Sequence, residues 1–145
     1  MKIKNVTIIV AILGFLDAIY LAIIKFTDNK ALCLEGVGDC WSVNNSPYSE
    51  WNGIPISIFG ALAYLVIILI LLNQKRFVFL VNFGSIFILG ISLSGFLFSI
   101  YLTYLQFAVI KAVCPFCLLS AGTMTIVFIL SLINYLQEQG DKDLE

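Results

Sequence analysis

Long runs of apolar residues dominate the chain, and short polar segments separate them. A helix needs roughly 20 residues to cross the hydrocarbon layer of a membrane, and four runs are about that long or longer. The predicted transmembrane helices cover about residues 6–26, 54–72, 77–105 and 115–136. We therefore expect an all-α membrane protein, with a single domain over residues 1–145 built as a four-transmembrane-helix bundle.

The amino-acid composition favours a membrane protein over a soluble domain. Hydrophobic residues make up 61% of the chain, charged residues make up 12%, and the mean hydropathy is +1.02. The surface of a soluble domain needs about a quarter charged residues. The first apolar run is too long for the core of a signal peptide, and no small-residue cleavage motif follows it. We interpret this run as a retained first helix.

The positions of the basic residues predict the orientation of the bundle. Lys2 and Lys4 precede the first helix. Lys75 and Arg76 lie in the turn after the second helix, whereas the loop over 27–53 is rich in acidic residues. Because basic residues favour the cytoplasmic side, we expect both termini there and all four cysteines on the extracytoplasmic side. The net charge of −1 and the lack of a basic cluster argue against nucleic-acid binding.

Two further patterns predict local structure. The 27–53 loop contains many residues that break regular structure, together with interfacial aromatic rings, and we expect a short membrane-lying helix over 46–51. The third predicted helix carries small residues at four-residue spacing, as in Gly90/Ser94 and Gly95/Ser99. This spacing is typical of close helix packing within a membrane.

The sequence Cys114-Pro115-Phe116-Cys117 opens the last predicted helix. Proline suits the first turn of a helix, so Cys114 is expected at the N-cap, where the helix's positive end stabilises a thiolate. Cys117 lies one turn deeper on the same face. We therefore predict that Cys114 faces water and exchanges with a protein thiol, whereas Cys117 meets a lipid-soluble oxidant. A quinone is the obvious oxidant of that kind.

The other two cysteines, Cys33 and Cys40, lie in the polar loop and can carry reducing equivalents by thiol–disulfide exchange. Cys40 is the better placed of the two to reach Cys114, which leaves Cys33 to face an outside partner. Two alternatives remain open: the loop pair only staples a membrane adaptor, or the four cysteines bind zinc. Covalent haem is excluded, because Leu118 stands where haem attachment requires histidine.

Asp17 is an acidic residue inside the first predicted membrane helix. A charge at that depth is costly, so such residues are functional suspects. Two roles stay open for it: proton delivery to the reduced quinone, or hydrogen bonding that fixes helix packing.

The chain resembles the vitamin K epoxide reductase family in its bacterial form. The resemblance lies in the loop cysteine pair, in Cys-Pro-Phe-Cys at the fourth helix, and in the stretch from Cys40-Trp-Ser-Val-Asn-Asn-Ser46 through Gly53-Ile-Pro55 to Ser57-Ile-Phe59-Gly60. The disulfide-bond-formation protein B family performs the same chemistry, but its CxxC precedes its second cysteine pair. The order of motifs here favours the first family.

The resemblance implies a four-helix bundle around a quinone, either ubiquinone or menaquinone, in the bacterial inner membrane. Electrons would pass from a thioredoxin-like protein to Cys33, then to Cys40, Cys114, Cys117 and the quinone ring. Ser46 would support the quinone through its hydroxyl group. The alternative for this serine is an ordinary helix cap for the 46–51 segment. No metal is implied.

Two departures from the family pattern affect the expected substrate. Vertebrate members carry a tyrosine where Ala121 stands and an asparagine where Ile56 stands, and both hold substrate oxygens. Their absence favours quinone reduction in support of disulfide formation over epoxide reduction. Many bacterial members also carry a fused thioredoxin-like domain, which this sequence lacks, so we expect a separate periplasmic partner or a truncated chain.

Overall fold

The structure is a computed structural model that describes residues 2–27, 38–74, 76 and 78–142. Five α-helices and one short hairpin are present in these residues. The helices are α1 (Lys2–Thr27), α2 (Cys40–Asn44), α3 (Ile56–Asn73), α4 (Val78–Leu105) and α5 (Pro115–Lys142). The hairpin strands are β1 (Glu50–Trp51) and β2 (Ile54–Pro55), a 3₁₀ turn covers Pro47–Ser49, and a π-helical turn covers Gln106–Ile110.

Four of the helices, α1, α3, α4 and α5, are long and apolar enough to cross a membrane. Their outward faces carry exposed large apolar side chains, including Leu13, Leu62, Leu97 and Ile129. A hydrocarbon environment accepts such faces, and a helix satisfies its own backbone hydrogen bonds there. The predicted fold, a four-helix multi-pass membrane bundle, is confirmed.

The bundle is held together mainly by α1, which packs against α3 and α5, and by the contact between α4 and α5. Tyr64 of α3 is fully buried at its centre. Its ring lies so close to α1 that a Cβ atom added to Gly14 would fall 2.4 Å from Cζ. The Tyr64 hydroxyl donates to the Ser120 carbonyl at 3.0 Å and shares a hydrogen bond with Thr123 Oγ1 at 2.8 Å. A small residue on one helix therefore admits a large side chain that bonds across to another helix.

The segment between α1 and α3 differs from its prediction. The predicted membrane-lying helix over 46–51 is not confirmed, since the α-helical turn α2 lies earlier, at Cys40–Asn44. Residues 47–49 form only the 3₁₀ turn, and β1 follows directly. The hairpin turn has positive φ angles at Asn52 (54°) and Gly53 (83°), as a type I′ turn requires. Pairing of β1 with β2 across this turn competes with a helix for the same residues.

Candidate functional site

The last transmembrane helix, α5, begins where the sequence Cys114-Pro115 predicts. Pro115 is its first residue, and Cys114 stands immediately before it. The sulfur of Cys114 accepts a hydrogen bond from the Cys117 backbone N–H at 3.2 Å, and the Cys114 carbonyl accepts one from Leu118 N–H at 3.1 Å. Cys114 therefore caps the helix, and its sulfur lies against the N–H of the residue that carries the second thiol.

The environment of Cys114 differs from its prediction. The side chain is 0% exposed, so the expectation that it faces water is wrong. The hydrogen bond with the Cys117 thiol raises the pKa of Cys114 to about 12, burial adds to this rise, and the hydrogen bond with Cys40 opposes it. The pKa of Cys114 is therefore raised, in the opposite direction to the lowering expected from the helix N-terminus. Cys117, predicted to be the deeper thiol, is partly exposed.

Cys40 covers Cys114 from the loop side. It is the first residue of α2, it is 3% exposed, and its thiol is hydrogen-bonded to that of Cys114. The thiols of Cys40, Cys114 and Cys117 therefore form a continuous row, with Cys114 in the middle. Cys33, the fourth predicted site residue, lies outside the described residues. Thiol–disulfide exchange requires direct sulfur contact, and this row provides it at two successive steps.

A short crossing of two chain segments places Cys40 over Cys114. The Asp39 N–H donates to the Val113 carbonyl at 2.9 Å, and the Asp39 carboxylate accepts the Ser42 N–H at 3.1 Å, which caps α2. Gly38 has a φ angle of 113°, and a Cβ atom there would lie 2.5 Å from the Val113 carbonyl oxygen. Only glycine permits both this backbone conformation and this approach.

Substituting Gly38→Ala is expected to move α2 away from the head of α5 and to slow exchange between Cys40 and Cys114. The backbone strain alone costs on the order of 1–3 kcal/mol, and we expect the exchange rate to fall by about ten-fold or more. Rapid acid quenching, thiol alkylation and mass spectrometry would measure that rate. Gly122→Ala is the matched control, because a Cβ there would meet nothing within 4 Å. An unchanged rate in Gly38→Ala would show that the crossing does not position Cys40.

The end of α1 holds the rest of the loop segment. Lys25 lies within hydrogen-bond distance of Asn45 Oδ1 (3.4 Å) and Ser49 Oγ (3.3 Å), and it forms an ion pair with Glu50 at 3.7 Å. The side chain of Asn44 donates to the Leu21 carbonyl at 3.1 Å. Residues 38–50 are therefore attached to α1 on one side and to the segment before α5 on the other. The segment forms a cover over the end of the bundle.

A partly open cavity of about 470 Å³ lies beneath this cover. Side chains from all four transmembrane helices and from the cover line it, and most of the lining is apolar. Cys117 lies on its wall, together with Ser46, the predicted quinone-supporting residue. A cavity of this size with few polar groups suits a small planar ligand. A quinone ring fits this description, and the wall brings one thiol of the cysteine row into contact with the same space.

Polar groups on the cavity wall support the same fit. The Ser57 hydroxyl is buried and has no hydrogen-bond partner in the described part of the protein. Buried polar groups in proteins are nearly always paired, so an unpaired hydroxyl on a cavity wall fits a ligand that carries oxygen atoms. Ser46 is 9% exposed, and its hydroxyl donates to the Val43 carbonyl at 2.8 Å. Its oxygen remains able to accept a hydrogen bond, and its side chain does not cap the following turn.

One polar residue of the cavity was missed by the sequence analysis. Gln106 is 3% exposed, lines the cavity, and accepts the Cys114 backbone N–H on its side-chain oxygen at 3.2 Å. A glutamine at the end of an otherwise apolar helix, eight residues before Cys114, is the signal that could have identified it. Its contact with the CxxC backbone depends on the π-helical turn after α4, which the hydrophobic pattern does not reveal.

The small residues of α4 only partly serve helix packing. A Cβ on Gly95 would lie 2.8 Å from the Met124 side chain, so this glycine does allow close contact with α5. Gly90 has no atom within 4 Å of such a Cβ, and it lines the cavity with Ser94 and Ser99. The four-residue spacing therefore marks a cavity wall as well as a helix contact.

Asp17 lies in α1, and its side chain is 9% exposed. Its Oδ2 atom has no hydrogen-bond partner among the described residues.

In the described ranges, no group of three or more His, Cys, Asp or Glu side chains is arranged to hold a metal ion.

A four-helix membrane bundle with a row of thiols against an apolar cavity defines the class of membrane thiol oxidoreductases. A sequence model of the vitamin K epoxide reductase family matches residues 5–132. The chain belongs to this family, whose members are membrane oxidoreductases that couple thiols to a quinone and generally act with a thioredoxin-like partner.

Proposed function

We propose that this protein oxidises a separate thioredoxin-like protein and passes the electrons to a quinone, thereby supporting disulfide formation in secreted proteins. The observation that best supports this proposal is the row of Cys40, Cys114 and Cys117, because Cys117 lies on the wall of an apolar cavity. We place the protein in the bacterial inner membrane with both termini in the cytoplasm. The cover and all four cysteines then face the periplasm, where the partner would reach Cys33.

The first steps are two thiol–disulfide exchanges. The partner dithiol reduces the Cys33–Cys40 disulfide and becomes a disulfide itself. The Cys40 thiolate then attacks the Cys114 sulfur of a Cys114–Cys117 disulfide, the bond between these two sulfurs breaks, and Cys117 leaves as a thiolate. Cys33 attacks Cys40, which restores the loop disulfide and releases Cys114. Two electrons have then moved from the partner to the CxxC pair.

The buried state of Cys114 suits its middle position in this scheme. As part of a disulfide it is attacked, which does not require it to ionise. It is released as a thiolate, and its raised pKa favours the uptake of a proton near neutral pH, which it then holds for the next step. Among the described residues, Cys40 contacts its thiol from the cover and Cys117 contacts it from α5.

Ser46 and Cys117 are the residues that we assign to the quinone. A quinone bound in the cavity would supply a two-electron, two-proton acceptor that restores the Cys114–Cys117 disulfide.

Two wall residues argue against epoxide as the main substrate. Ile56 and Ala121 both line the cavity, and neither carries a hydrogen-bond donor on its side chain. Comparing turnover on a quinone with turnover on its epoxide would test this preference.

Substituting Cys33→Ala is expected to trap the exchange midway. Without Cys33 to resolve it, a disulfide between Cys40 and Cys114 should accumulate in protein oxidised by quinone, with Cys117 left as a free thiol. Alkylation followed by non-reducing peptide mass spectrometry would identify this bond. The double variant Cys33→Ala/Cys114→Ala is the control and should lack the bond. A variant that retains Cys114–Cys117 and an alkylated Cys40 would contradict the proposed order.

A further inference from the structure

Gln106 occupies a rigid position between α4 and the head of α5. It is the first residue of the π-helical turn, and its backbone carbonyl accepts N–H groups from Lys111 and Ala112, the latter at 3.2 Å. Lys111 adopts a left-handed conformation with φ of 53°, which returns the chain towards Cys114. Single π-helical turns are frequent at functional sites. The backbone of the π-helical turn therefore places the Gln106 side chain next to the CxxC sequence.

The orientation of the Gln106 amide follows from hydrogen-bond chemistry. The Cys114 backbone N–H is a donor, so the side-chain atom that faces it at 3.2 Å must be the carbonyl oxygen Oε1. Nε2 then points away from Cys114. It donates no hydrogen bond to any residue that the structure describes, although the residue is 3% exposed and lines the cavity. An amide that borders the cavity, with no partner for Nε2 among the described residues, can donate to an acceptor bound there.

Several hydroxyl groups of the cavity wall are already engaged with backbone carbonyls. They belong to Ser46, Tyr64, Ser94 and Thr103. Gln106 differs from them because its donors are unused and because its oxygen is bonded to the backbone of the redox pair. A ligand held by Nε2 would therefore be positioned relative to Cys114 and Cys117 through one rigid amide.

We propose that Gln106 donates a hydrogen bond from Nε2 to a carbonyl oxygen of the quinone and so holds the ring beside Cys117. This inference rests on the proposed function and names a residue that binds its substrate. A donor fixed in place before the reaction stabilises the negative charge that develops on a carbonyl oxygen during reduction. Because Oε1 is bonded to the Cys114 N–H, the same side chain couples the ring position to the redox pair.

The test measures quinone binding in fully oxidised protein, which cannot turn over. A short-chain ubiquinone with isotopically labelled carbonyls is added to native protein and to Gln106→Met, and infrared difference spectra are recorded. One carbonyl stretch should be lowered in native protein and should return towards the frequency of dissolved quinone in the variant. Affinity should fall by about ten-fold with the loss of one buried hydrogen bond. Thr125→Val is the control, because its hydroxyl donates to Ala121 within α5 at 2.8 Å and lies off the cavity.

A purely structural role for Gln106 would weaken binding yet leave the carbonyl stretch lowered, and that result would overturn the inference. Binding to native protein with no lowered stretch would also overturn it. A native protein that binds no quinone would instead contradict the proposed function.

A second measurement needs no variant. With glutamine side-chain amides labelled for NMR, quinone should shift the Gln106 signal and leave those of Gln74, Gln137 and Gln139 unchanged, since these three lie outside the cavity. Bound quinone with no shifted amide signal would likewise overturn the inference.

Discussion

Substituting Cys117→Ala is expected to abolish quinol formation when a reduced thioredoxin-like protein supplies the electrons. Cys117 is the member of the cysteine row that lies on the cavity wall, and no other described side chain there can form a disulfide with Cys114. We expect the rate to fall by at least about 100-fold, as for loss of a covalent participant. The decrease in quinone absorbance in detergent solution measures the rate.

Two observations on the same variant separate a specific defect from general damage. The Cys33–Cys40 disulfide should still be reduced by the partner, because that exchange lies upstream of Cys117, and the pair should then stay reduced. Cys117→Ser, which preserves the shape of the side chain, should be equally inactive. Quinol production at the native rate in either variant would show that the electrons reach the quinone by another route.

Substituting Cys114→Ala is expected to stop electron flow one step earlier. The Cys114 sulfur joins Cys40 to Cys117, and its burial leaves the row without a substitute thiol. Quinol formation should again fall by at least about 100-fold, while the Cys33–Cys40 pair remains reduced after contact with the partner. Non-reducing mass spectrometry of the alkylated protein would report both cysteine pairs.

The Cys114→Ala variant also separates the relay from a membrane adaptor stapled by disulfides. An adaptor would keep its function and its partner binding without this thiol. The relay predicts that the partner still reduces the loop pair in this variant, through a partner–loop disulfide intermediate, but that no electrons pass on to the quinone. Normal quinone reduction by Cys114→Ala would contradict the relay.

Much of the fold could be predicted because it depends on local properties of the chain. The length of an apolar run determines whether a helix can cross the hydrocarbon layer, so α1, α3, α4 and α5 were predictable. The start of α5 was equally local, since Pro115 fits only the first turn. The match to residues 5–132 confirms the family that the cysteine motifs had indicated.

The environment of the cysteines could not be predicted in the same way. Depth along α5 suggested that Cys114 faces water, but the contact with Cys40 reverses this expectation, and the Cys114 side chain is 0% exposed. The reversal comes from residues about 75 positions earlier in the sequence, which cross Val113 at Asp39. No periodicity within α5 contains that information. The sequence spacing of the motif, by itself, does not report what covers it.

The contact of Gln106 and the structure of the loop could not be predicted from the sequence either. The bond between Gln106 and Cys114 requires a π-helical turn, and an apolar run does not distinguish a π turn from the end of an α-helix. The helix predicted over 46–51 failed because Asn52 and Gly53 favour a hairpin turn that pairs the residues on either side. Both features depend on contacts or turn geometry that hydrophobic patterning leaves unspecified.

The most direct test of the relay is single-turnover quinone reduction by purified protein in detergent. Pre-reduced protein, freed of excess reductant, is mixed with a short-chain ubiquinone or menaquinone, and quinol is measured alongside the thiol state of each cysteine. We predict one quinol for each disulfide formed, counted over the Cys33–Cys40 and Cys114–Cys117 pairs together, with none from Cys117→Ala. Quinol formed without the loss of two cysteine thiols for each quinol, or no quinol from native protein with either quinone, would contradict the account.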